Sequence, residues 1–281
     1  MIIFNTPAKL NLFLDIVSKR EDNYHNIISL MAKIDLYDVL KVKYLKENRI
    51  ALSVKGDAPE GVENSCYKAA QIIKDRFDIR EGLEIELEKR IPPESGLGGA
   101  SSNAAYLLKA AVSIFNIDIT REELIDLGLA VGSDVPFFIN ESNWAVVEGR
   151  GENIRSIDTR FFFHALLVLP KFGNKTGDLY QRWKPSLTEP SCWDKIRFCS
   201  VDDVEMNFLK KSSYNIFEKL ESSSVLPSLI EDIKRFDVDL VRMTGTGSAV
   251  YAISSDMNKL NSLKDYCGSL GYNTFLVRSL N

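Results

Sequence analysis

The sequence has no uninterrupted apolar run of the roughly 20 residues that a helix needs to span a lipid bilayer. No signal peptide is expected either, because Lys9 interrupts the first apolar stretch and no charged leader or small-residue cleavage site precedes it. Cysteine is scarce, and its four positions contain no C-x-x-C pair that would indicate a disulfide framework or a zinc site. These absences argue against membrane proteins and disulfide-rich secreted proteins, and they favour a reducing cytoplasm.

An excess of positive charge is absent as well. The 35 lysines and arginines stand against 39 aspartates and glutamates, for a formal net charge of -4, and no polybasic cluster suits a nucleic-acid backbone. At 281 residues, with 45% hydrophobic and 26% charged residues, the chain has the composition of a soluble globular protein and the length of about two domains. We expect a small-molecule partner, neither nucleic acid nor membrane, and a monomer or homodimer.

The N-terminal part alternates strands and helices. Every second residue from Leu10 to Ile16 is aliphatic, which predicts a half-buried strand with Lys9 and Asn11 on its other face. Further strands are expected near residues 39–44, 49–54 and 83–91, helices near residues 64–77, 103–115 and 120–131, and a hairpin near residues 144–157. Thr120 and Glu123 form a capping box that predicts the start of the third helix, and Gly132 predicts its end.

The pattern of apolar and polar residues changes near residue 160. Residues 161–169 form an apolar run that predicts a strand buried on both faces, with His164 as a core residue whose hydrogen bonds are satisfied. Helices are then expected near residues 207–220, 226–235 and 257–267, and strands near residues 240–243, 249–253 and 274–278. With the first two helices counted as one crossover, these elements approximate a β-α-β-β-α-β order, the split arrangement of ferredoxin-like domains. The sequence therefore predicts an α+β protein with domains at residues 1–159 and 160–281.

A glycine-rich segment, residues 96–102, lies between a predicted strand and a predicted helix. Glycines let the backbone approach an anion, and successive N–H groups at a helix start supply partial positive charge for phosphate oxygens. The segment matches neither the P-loop nor the Rossmann pattern. Ser101 or Ser102 is the expected cap of the following helix. The alternative to a phosphate-binding loop is a tight turn that serves packing alone.

Three shorter segments carry polar groups that suit the same chemistry. Lys9 and Asn11 place an ammonium and an amide about 6.6 Å apart on one strand face, although a solvated lysine is the ordinary alternative. Asp134 follows a glycine turn and precedes Pro136, which suits either a catalytic acid or a helix cap. The turn at residues 244–248 is consistent with a simple hairpin loop.

Taken in order, these segments resemble the motifs of the GHMP kinase superfamily. The chain has a P-A-K-x-N strand at residues 7–11, a P-x-x-x-G-L-G-x-x-S-S loop at residues 92–102 and a late G-T-G turn at residues 245–247. Within the superfamily, PAKLNLFLDI, the R-x-D-x-Y-H segment at residues 20–25, GSDVPFF and MTGTGSAVYA are similar to the branch that acts on 4-diphosphocytidyl-2-C-methyl-D-erythritol in non-mevalonate isoprenoid synthesis.

The resemblance implies a fold and a reaction. Family members join an N-terminal β-α domain, like that of a ribosomal protein, to a ferredoxin-like C-terminal domain, and both substrates bind between the two. ATP would donate its γ-phosphoryl group to the 2-hydroxyl of the cytidine diphosphate methylerythritol. Mg²⁺ is expected because ATP carries it, with the Ser102 hydroxyl as a candidate ligand but no protein ligand set evident.

The same resemblance assigns roles to residues. Lys9 and Asp134 would be the catalytic pair, in which Asp134 accepts or orients the hydroxyl proton and Lys9 steadies developing negative charge. The ATP phosphate loop would be Pro92, Pro93, Glu94, Ser95, Gly96, Leu97, Gly98, Gly99, Ala100, Ser101 and Ser102. The substrate-binding residues would be Asn11, Tyr24, His25, Thr176, Tyr180, Gly245, Thr246 and Gly247. Tyr24 and Tyr180 would hold the cytosine ring between them, and His25 would bond its polar edge.

Two places depart from the family pattern. Glu94 and Ser95 replace glycines of the loop, and Glu94 brings negative charge near the phosphates. Ile216 follows Asn215 where relatives have an acid. The alternatives are another GHMP kinase, acting on homoserine, mevalonate or a sugar, and a non-catalytic binding module on the same fold.

Overall fold

The computed structural model describes residues 1–170, 176–223 and 225–281, and it contains two sheets with helices packed on them. The strands are β1 (Ile2–Lys19), β2 (His25–Leu45), β3 (Ile50–Lys55), β4 (Gly82–Glu88), β5 (Trp144–Gly149), β6 (Asn153–Ser156), β7 (His164–Leu169), β8 (Tyr214–Asn215), β9 (Leu240–Met243), β10 (Val250–Ser254) and β11 (Asn273–Arg278). The helices are α1 (Ser65–Arg76), α2 (Gly99–Phe115), α3 (Arg121–Val131), α4 (Val135–Ile139), α5 (Thr176–Arg182), α6 (Trp193–Arg197), α7 (Met206–Ser212), α8 (Phe217–Leu220), α9 (Val225–Lys234) and α10 (Met257–Ser269). The predicted α+β class is confirmed.

The first sheet is built around the long antiparallel pair β1 and β2, which runs from Ile2 opposite Val42 to Lys19 opposite His25. Its order is β3-β4-β2-β1-β8, and β5 pairs with both β2 and β6. The prediction that β1 is half-buried is wrong, because every residue from position 6 to position 16 is buried. Alternation along the strand does not show that the second face is also covered, by elements distant in the chain.

The ends of two helices in the N-terminal half can be compared with the ends predicted from the sequence. The capping box of Thr120 and Glu123 begins α3, and Gly132 follows its last residue, as predicted. The expected cap of α2 by Ser101 or Ser102 is wrong, because α2 begins at Gly99 and both serines lie within its first turn. Gly98, with φ of 73° and no side chain, is the residue that precedes the helix.

The second sheet has the order β11-β7-β10-β9, and all its neighbouring strands are antiparallel. Two crossovers, one through α5–α9 and one through α10, complete the predicted β-α-β-β-α-β unit. The helix expected near residues 207–220 is instead divided into α7, β8 and α8, and β8 joins the first sheet beside β1. The boundary at residue 160 stays a prediction.

A second prediction about burial, that of His164, is also wrong. His164 is only partly buried at the start of β7, where its ring lies 5.8 Å from that of Phe162, so it is not a core residue. The four cysteines are free thiols. Within the described ranges, no helix combines the length and the apolar character that crossing a bilayer requires.

Candidate active site

A cavity of about 1780 Å³ lies between the two sheets and receives residues from both halves of the chain. This volume exceeds the roughly 300–1,000 Å³ of a pocket for one ligand, so it has room for two substrates. The predicted site residues that line it are Lys9, Asn11, Tyr24, His25, Asp134, Tyr180, Gly245, Thr246, Gly247 and all loop residues from Pro92 to Ser101. The side chain of Thr176 lies outside the described part of the structure.

The predicted catalytic pair meets in this cavity. The Lys9 ammonium lies 3.4 Å from Oδ2 of Asp134, and the side chains are 3% and 31% exposed. Lys9 also donates a hydrogen bond to the Asn11 side-chain oxygen, which holds the ammonium in place. Asp134 precedes α4, yet its carboxylate makes no capping hydrogen bond to that fully described helix. The geometry therefore favours the catalytic interpretation of Asp134 over the capping one.

The glycine-rich loop is held between β1 and the late G-T-G turn. The amide of Lys9 donates to the Leu97 carbonyl at 2.9 Å, and that of Ala249 donates to the Ser95 carbonyl at 3.1 Å. Gly96 has φ of 76°, and a Cβ there would lie 2.1 Å from the Thr244 carbonyl oxygen. Because the loop leads directly into the 17 residues of α2, its amides and the helix start form a surface suited to phosphate oxygens.

A buried polar network at the entry of the loop was missed by the sequence analysis. Asp38 is fully buried, and its carboxylate accepts hydrogen bonds from the amides of Arg90, at 2.6 Å, and Ile91, at 2.8 Å. It also accepts a bond of 2.9 Å from the Asn103 amide group and contacts the Lys89 ammonium. A charged residue inside an apolar strand was the available signal, because such a residue needs partners.

Part of the cavity wall, here called the aromatic end, consists of the rings of His25, Tyr180, Trp183 and Phe217. The His25 ring lies 5.0 Å from the Tyr180 ring and 5.4 Å, edge to face, from that of Trp183. Phe217 packs on Tyr180 at 4.9 Å between ring centres. Burial, together with the nearby charge of Lys19, lowers the pKa of His25, which favours the neutral imidazole. Trp183 and Phe217 belong to this cluster although the sequence analysis did not select them.

Tyr24 is placed differently from the expected sandwich. The ring against Tyr180 is His25, whereas the Tyr24 ring lies against the guanidinium of Arg150, 3.5 Å from its centre. Tyr24 remains 46% exposed and lines the cavity. The structure thus brings the three predicted aromatic residues to one end of the cavity without forming a direct Tyr24–Tyr180 pair, and their roles stay predictions.

Glu94 and Ser95, which stand where the family pattern has glycines, both fit the backbone of the loop. Glu94 is exposed at the cavity wall and has φ of 51°, the left-handed conformation that a glycine adopts more easily. Ser95 is buried, and its hydroxyl donates to the Pro92 carbonyl at 2.7 Å. The loop keeps the backbone form expected of glycine but carries a negative charge at its rim.

The late turn is held by Asn215 rather than by an acid at the next position. Its side-chain amide donates to the carbonyls of Met243, at 2.8 Å, and Gly245, at 2.9 Å. Ile216 is fully buried in the core against the second sheet. An acid is not needed there to support the turn.

Among the described residues, no group of three or more His, Cys, Asp or Glu side chains could hold a metal ion. One oxygen of the predicted loop does suit a cation, because Ser102 Oγ is buried and has no hydrogen-bond partner within the described part of the chain. Ser102 is not, however, among the described residues that line the cavity. The described residues thus offer one candidate metal ligand and no complete set of ligands.

Comparisons with known proteins identify the family of the chain. The family "GHMP kinases N terminal domain" matches residues 64–142. The chain is 34% identical over 277 residues to the 4-diphosphocytidyl-2-C-methyl-D-erythritol kinase of Bacillus cereus, covering 95% of this chain and 94% of the relative, and equally similar to that of Bacillus anthracis.

Solved structures show the same fold. A crystal structure of 4-(cytidine 5'-diphospho)-2C-methyl-D-erythritol kinase superposes with a TM-score of 0.75 at 23% identity over the whole of both chains. The mevalonate kinase of Methanococcus jannaschii gives a TM-score of 0.72 at 18% identity, covering 100% of this chain and 98% of that one. The fold is shared by kinases of different names, so it does not distinguish among them. Both of these Bacillus relatives carry one name, and at 34% identity over 95% of the chain they show that this chain belongs to the 4-diphosphocytidyl-2-C-methyl-D-erythritol kinase family of the GHMP kinases.

Proposed function

We propose that this protein transfers the γ-phosphoryl group of ATP to the 2-hydroxyl of 4-diphosphocytidyl-2-C-methyl-D-erythritol, releasing ADP and the 2-phosphate. The observation that carries the proposal is the Lys9–Asp134 pair, 3.4 Å apart, in one cavity with a glycine-rich helix entry and an aromatic end. The family relatives bear the same activity in their name. The reaction belongs to the non-mevalonate route to isoprenoid precursors, and we place it in the reducing cytoplasm.

The proposed step needs little covalent help from the protein. The bond from the acceptor oxygen to the γ-phosphorus forms as the bond to the bridging β–γ oxygen breaks, and ADP leaves. Asp134 orients the hydroxyl and takes its proton, which later passes to solvent. Lys9, buried and held by Asn11, offsets negative charge that develops between the reacting oxygens.

The two substrates are assigned to opposite ends of the cavity. The aromatic end takes the cytidine because His25, Tyr180 and Trp183 offer ring faces and a neutral imidazole. ATP then lies along the glycine-rich loop, with its adenosine toward the side lined by Asn64 and Lys89. The Ser65 hydroxyl donates to the Ala100 carbonyl at 2.8 Å, so that side of the cavity adjoins the loop.

Mg²⁺ would enter with ATP and neutralise phosphate charge when bound. Ser102, whose hydroxyl is buried and without a partner among the described residues, is the side chain that would hold it.

The proposal is tested by measuring ADP release from ATP with and without each candidate acceptor. We expect release that depends on the cytidine acceptor, with homoserine, mevalonate and simple sugars at background. Release with one of those acceptors instead would assign a different GHMP kinase activity, since the fold alone does not distinguish them. Failure to bind ATP at all would support a non-catalytic binding module.

A further inference from the structure

Arg150 occupies the tip of the β5–β6 hairpin and faces the aromatic end of the cavity. Its guanidinium carbon lies 3.5 Å from the centre of the Tyr24 ring, close enough for a planar stack. The same guanidinium donates from Nη2 to the Leu129 carbonyl at 3.1 Å. One side chain therefore joins an exposed loop residue to helix α3.

The hairpin tip is also tied to the loop that carries Tyr24. Glu152 accepts a hydrogen bond of 2.6 Å from the Arg150 amide, and its other carboxylate oxygen lies 3.5 Å from Nη1 of Arg20. The amide of Arg20 in turn donates to the Tyr24 carbonyl at 2.8 Å. The backbone of the Tyr24 turn and the hairpin tip are thus held at a fixed separation.

On its other side the hairpin tip is pressed against the catalytic segment. Gly151 has φ of 137°, and a Cβ there would lie 2.1 Å from the Ser133 carbonyl oxygen. Ser133 immediately precedes Asp134. A short path of direct contacts therefore runs from the Tyr24 ring through Arg150 and the hairpin tip to the proposed proton acceptor.

The hydrogen-bonding capacity of Arg150 is not fully used. Arg150 Nε is buried and has no hydrogen-bond partner among the described residues, which costs free energy. The side chain does provide a face on which the Tyr24 ring packs, and the residue still remains 46% exposed. With one face against Arg150, the ring has its opposite face available for a planar base.

We propose that Arg150 is a positioning residue that orients Tyr24 for the base of the acceptor and sets the distance between the base and Asp134. Arg150 acts through Tyr24 rather than on the reacting atoms. The inference rests on the proposed function, because it requires a nucleobase at the aromatic end.

The test measures cytidine diphosphate binding in the absence of ATP, together with steady-state kinetics, for the full-length protein. Arg150→Ala should weaken cytidine diphosphate binding about tenfold and raise the acceptor KM similarly, with the ATP KM unchanged. Arg150→Lys keeps the charge but not the planar stack, so it should restore part of the affinity. In a Tyr24→Ala background, Arg150→Ala should have little further effect.

Arg155→Ala is the matched control, because this arginine lies on the same hairpin and bonds to the Arg197 carbonyl, away from the cavity. If Arg150→Ala does not fold, Arg150→Gln replaces it, since it keeps a donor for Leu129 without the charge. The positioning role would be overturned if Arg150→Ala left cytidine diphosphate binding unchanged, or if Arg150→Ala and Tyr24→Ala weakened that binding independently of each other. Neither result would contradict the kinase activity of the wild type. A wild type that neither binds cytidine diphosphate nor phosphorylates the acceptor would overturn the proposed function itself, and this role with it.

Discussion

The Lys9 ammonium and the Asp134 carboxylate lie 3.4 Å apart, one on the first strand and the other at the start of the short helix α4. Lys9 is almost completely buried, whereas Asp134 is open to the cavity on one side. A buried ammonium beside a partly exposed carboxylate leaves that carboxylate accessible to a hydroxyl while holding its orientation. The pair is thus arranged to position an acceptor alcohol against a phosphate.

The catalytic pair can be tested by conservative replacement. Asp134→Asn keeps the shape but cannot take a proton, so turnover should fall by about 10²-fold or more while the ATP KM stays near that of the wild type. Lys9→Met should also lower turnover because it removes charge stabilisation. The measurement is acceptor-dependent ADP release, with Lys43→Met on the exposed face of β2 as the control. Turnover close to normal in either variant would remove that residue from the mechanism.

Glu94 should weaken ATP binding through its charge. Glu94→Gln removes the charge and keeps the side-chain size, so the ATP KM should fall by about two- to fivefold at low salt and by less at high salt. Glu94→Gly should give the same fall and also relieve the left-handed backbone at φ of 51°. Steady-state kinetics at two salt concentrations measure both effects. An ATP KM that does not change in Glu94→Gln would show that the carboxylate lies clear of the bound phosphates.

Lys33 should make the stability of the protein depend on pH. Its ammonium donates to the Asn140 carbonyl at 2.8 Å, and burial, then the charge of Lys109, lowers its pKa to about 7, against the opposing charge of Glu141. Between pH 7 and the ordinary lysine pKa of 10.5, the unfolded chain binds a proton that the folded chain has released. The free energy of unfolding should therefore rise with pH across this window, by at most about 1.4 kcal/mol per pH unit, and be flat below it.

Denaturant titrations at pH 7, 8 and 9 measure this dependence. Lys33→Met lacks this contribution, so the free energy of unfolding of the wild type should rise relative to that of the variant as the pH increases. Lys41→Met, an exposed lysine of the same strand, should show the wild-type slope. Parallel pH profiles for wild type and Lys33→Met would contradict the assignment.

His25 should make cytidine binding sensitive to acid. Its pKa is lowered by burial and by Lys19, so the ring is neutral at pH 7 and above. If base recognition needs the neutral imidazole, the dissociation constant for cytidine diphosphate should be flat at and above the ordinary histidine pKa and rise only once the pH falls below the lowered pKa of His25. His25→Gln should bind more weakly but with no rise over the same range. An equal rise in both proteins would assign the acid sensitivity to another group.

The sequence predicted those parts of the fold that depend on local interactions. The capping box of Thr120 and Glu123 and the short C-terminal strands near residues 240–243 and 249–253 were predicted from neighbouring residues alone, and both are present as expected. The burial of both faces of β1 and the early start of α2 at Gly99 depend on contacts with distant segments. Periodicity within one element contains no information about such contacts.

In the candidate site, too, some residues were predicted from the sequence and others were not. Lys9, Asp134 and the glycine-rich loop were found because their motifs resemble those of a known superfamily. Arg150 and Asp38 were not found, since each belongs to no motif and acquires its place only through partners elsewhere in the chain. Both are charged residues with buried polar atoms, whose partners must be supplied by tertiary structure.

The contact between Gly96 and Thr244, where even a methyl group would overlap a carbonyl oxygen, joins two turns that lie slightly more than half the chain apart. Neither turn can lengthen or change course without displacing the other, so the conformations of the two turns depend on each other. A chimera that takes its second half from another kinase of this fold should need the matching loop from that donor as well. The proposed phosphate-binding surface is accordingly built jointly by both halves of the chain.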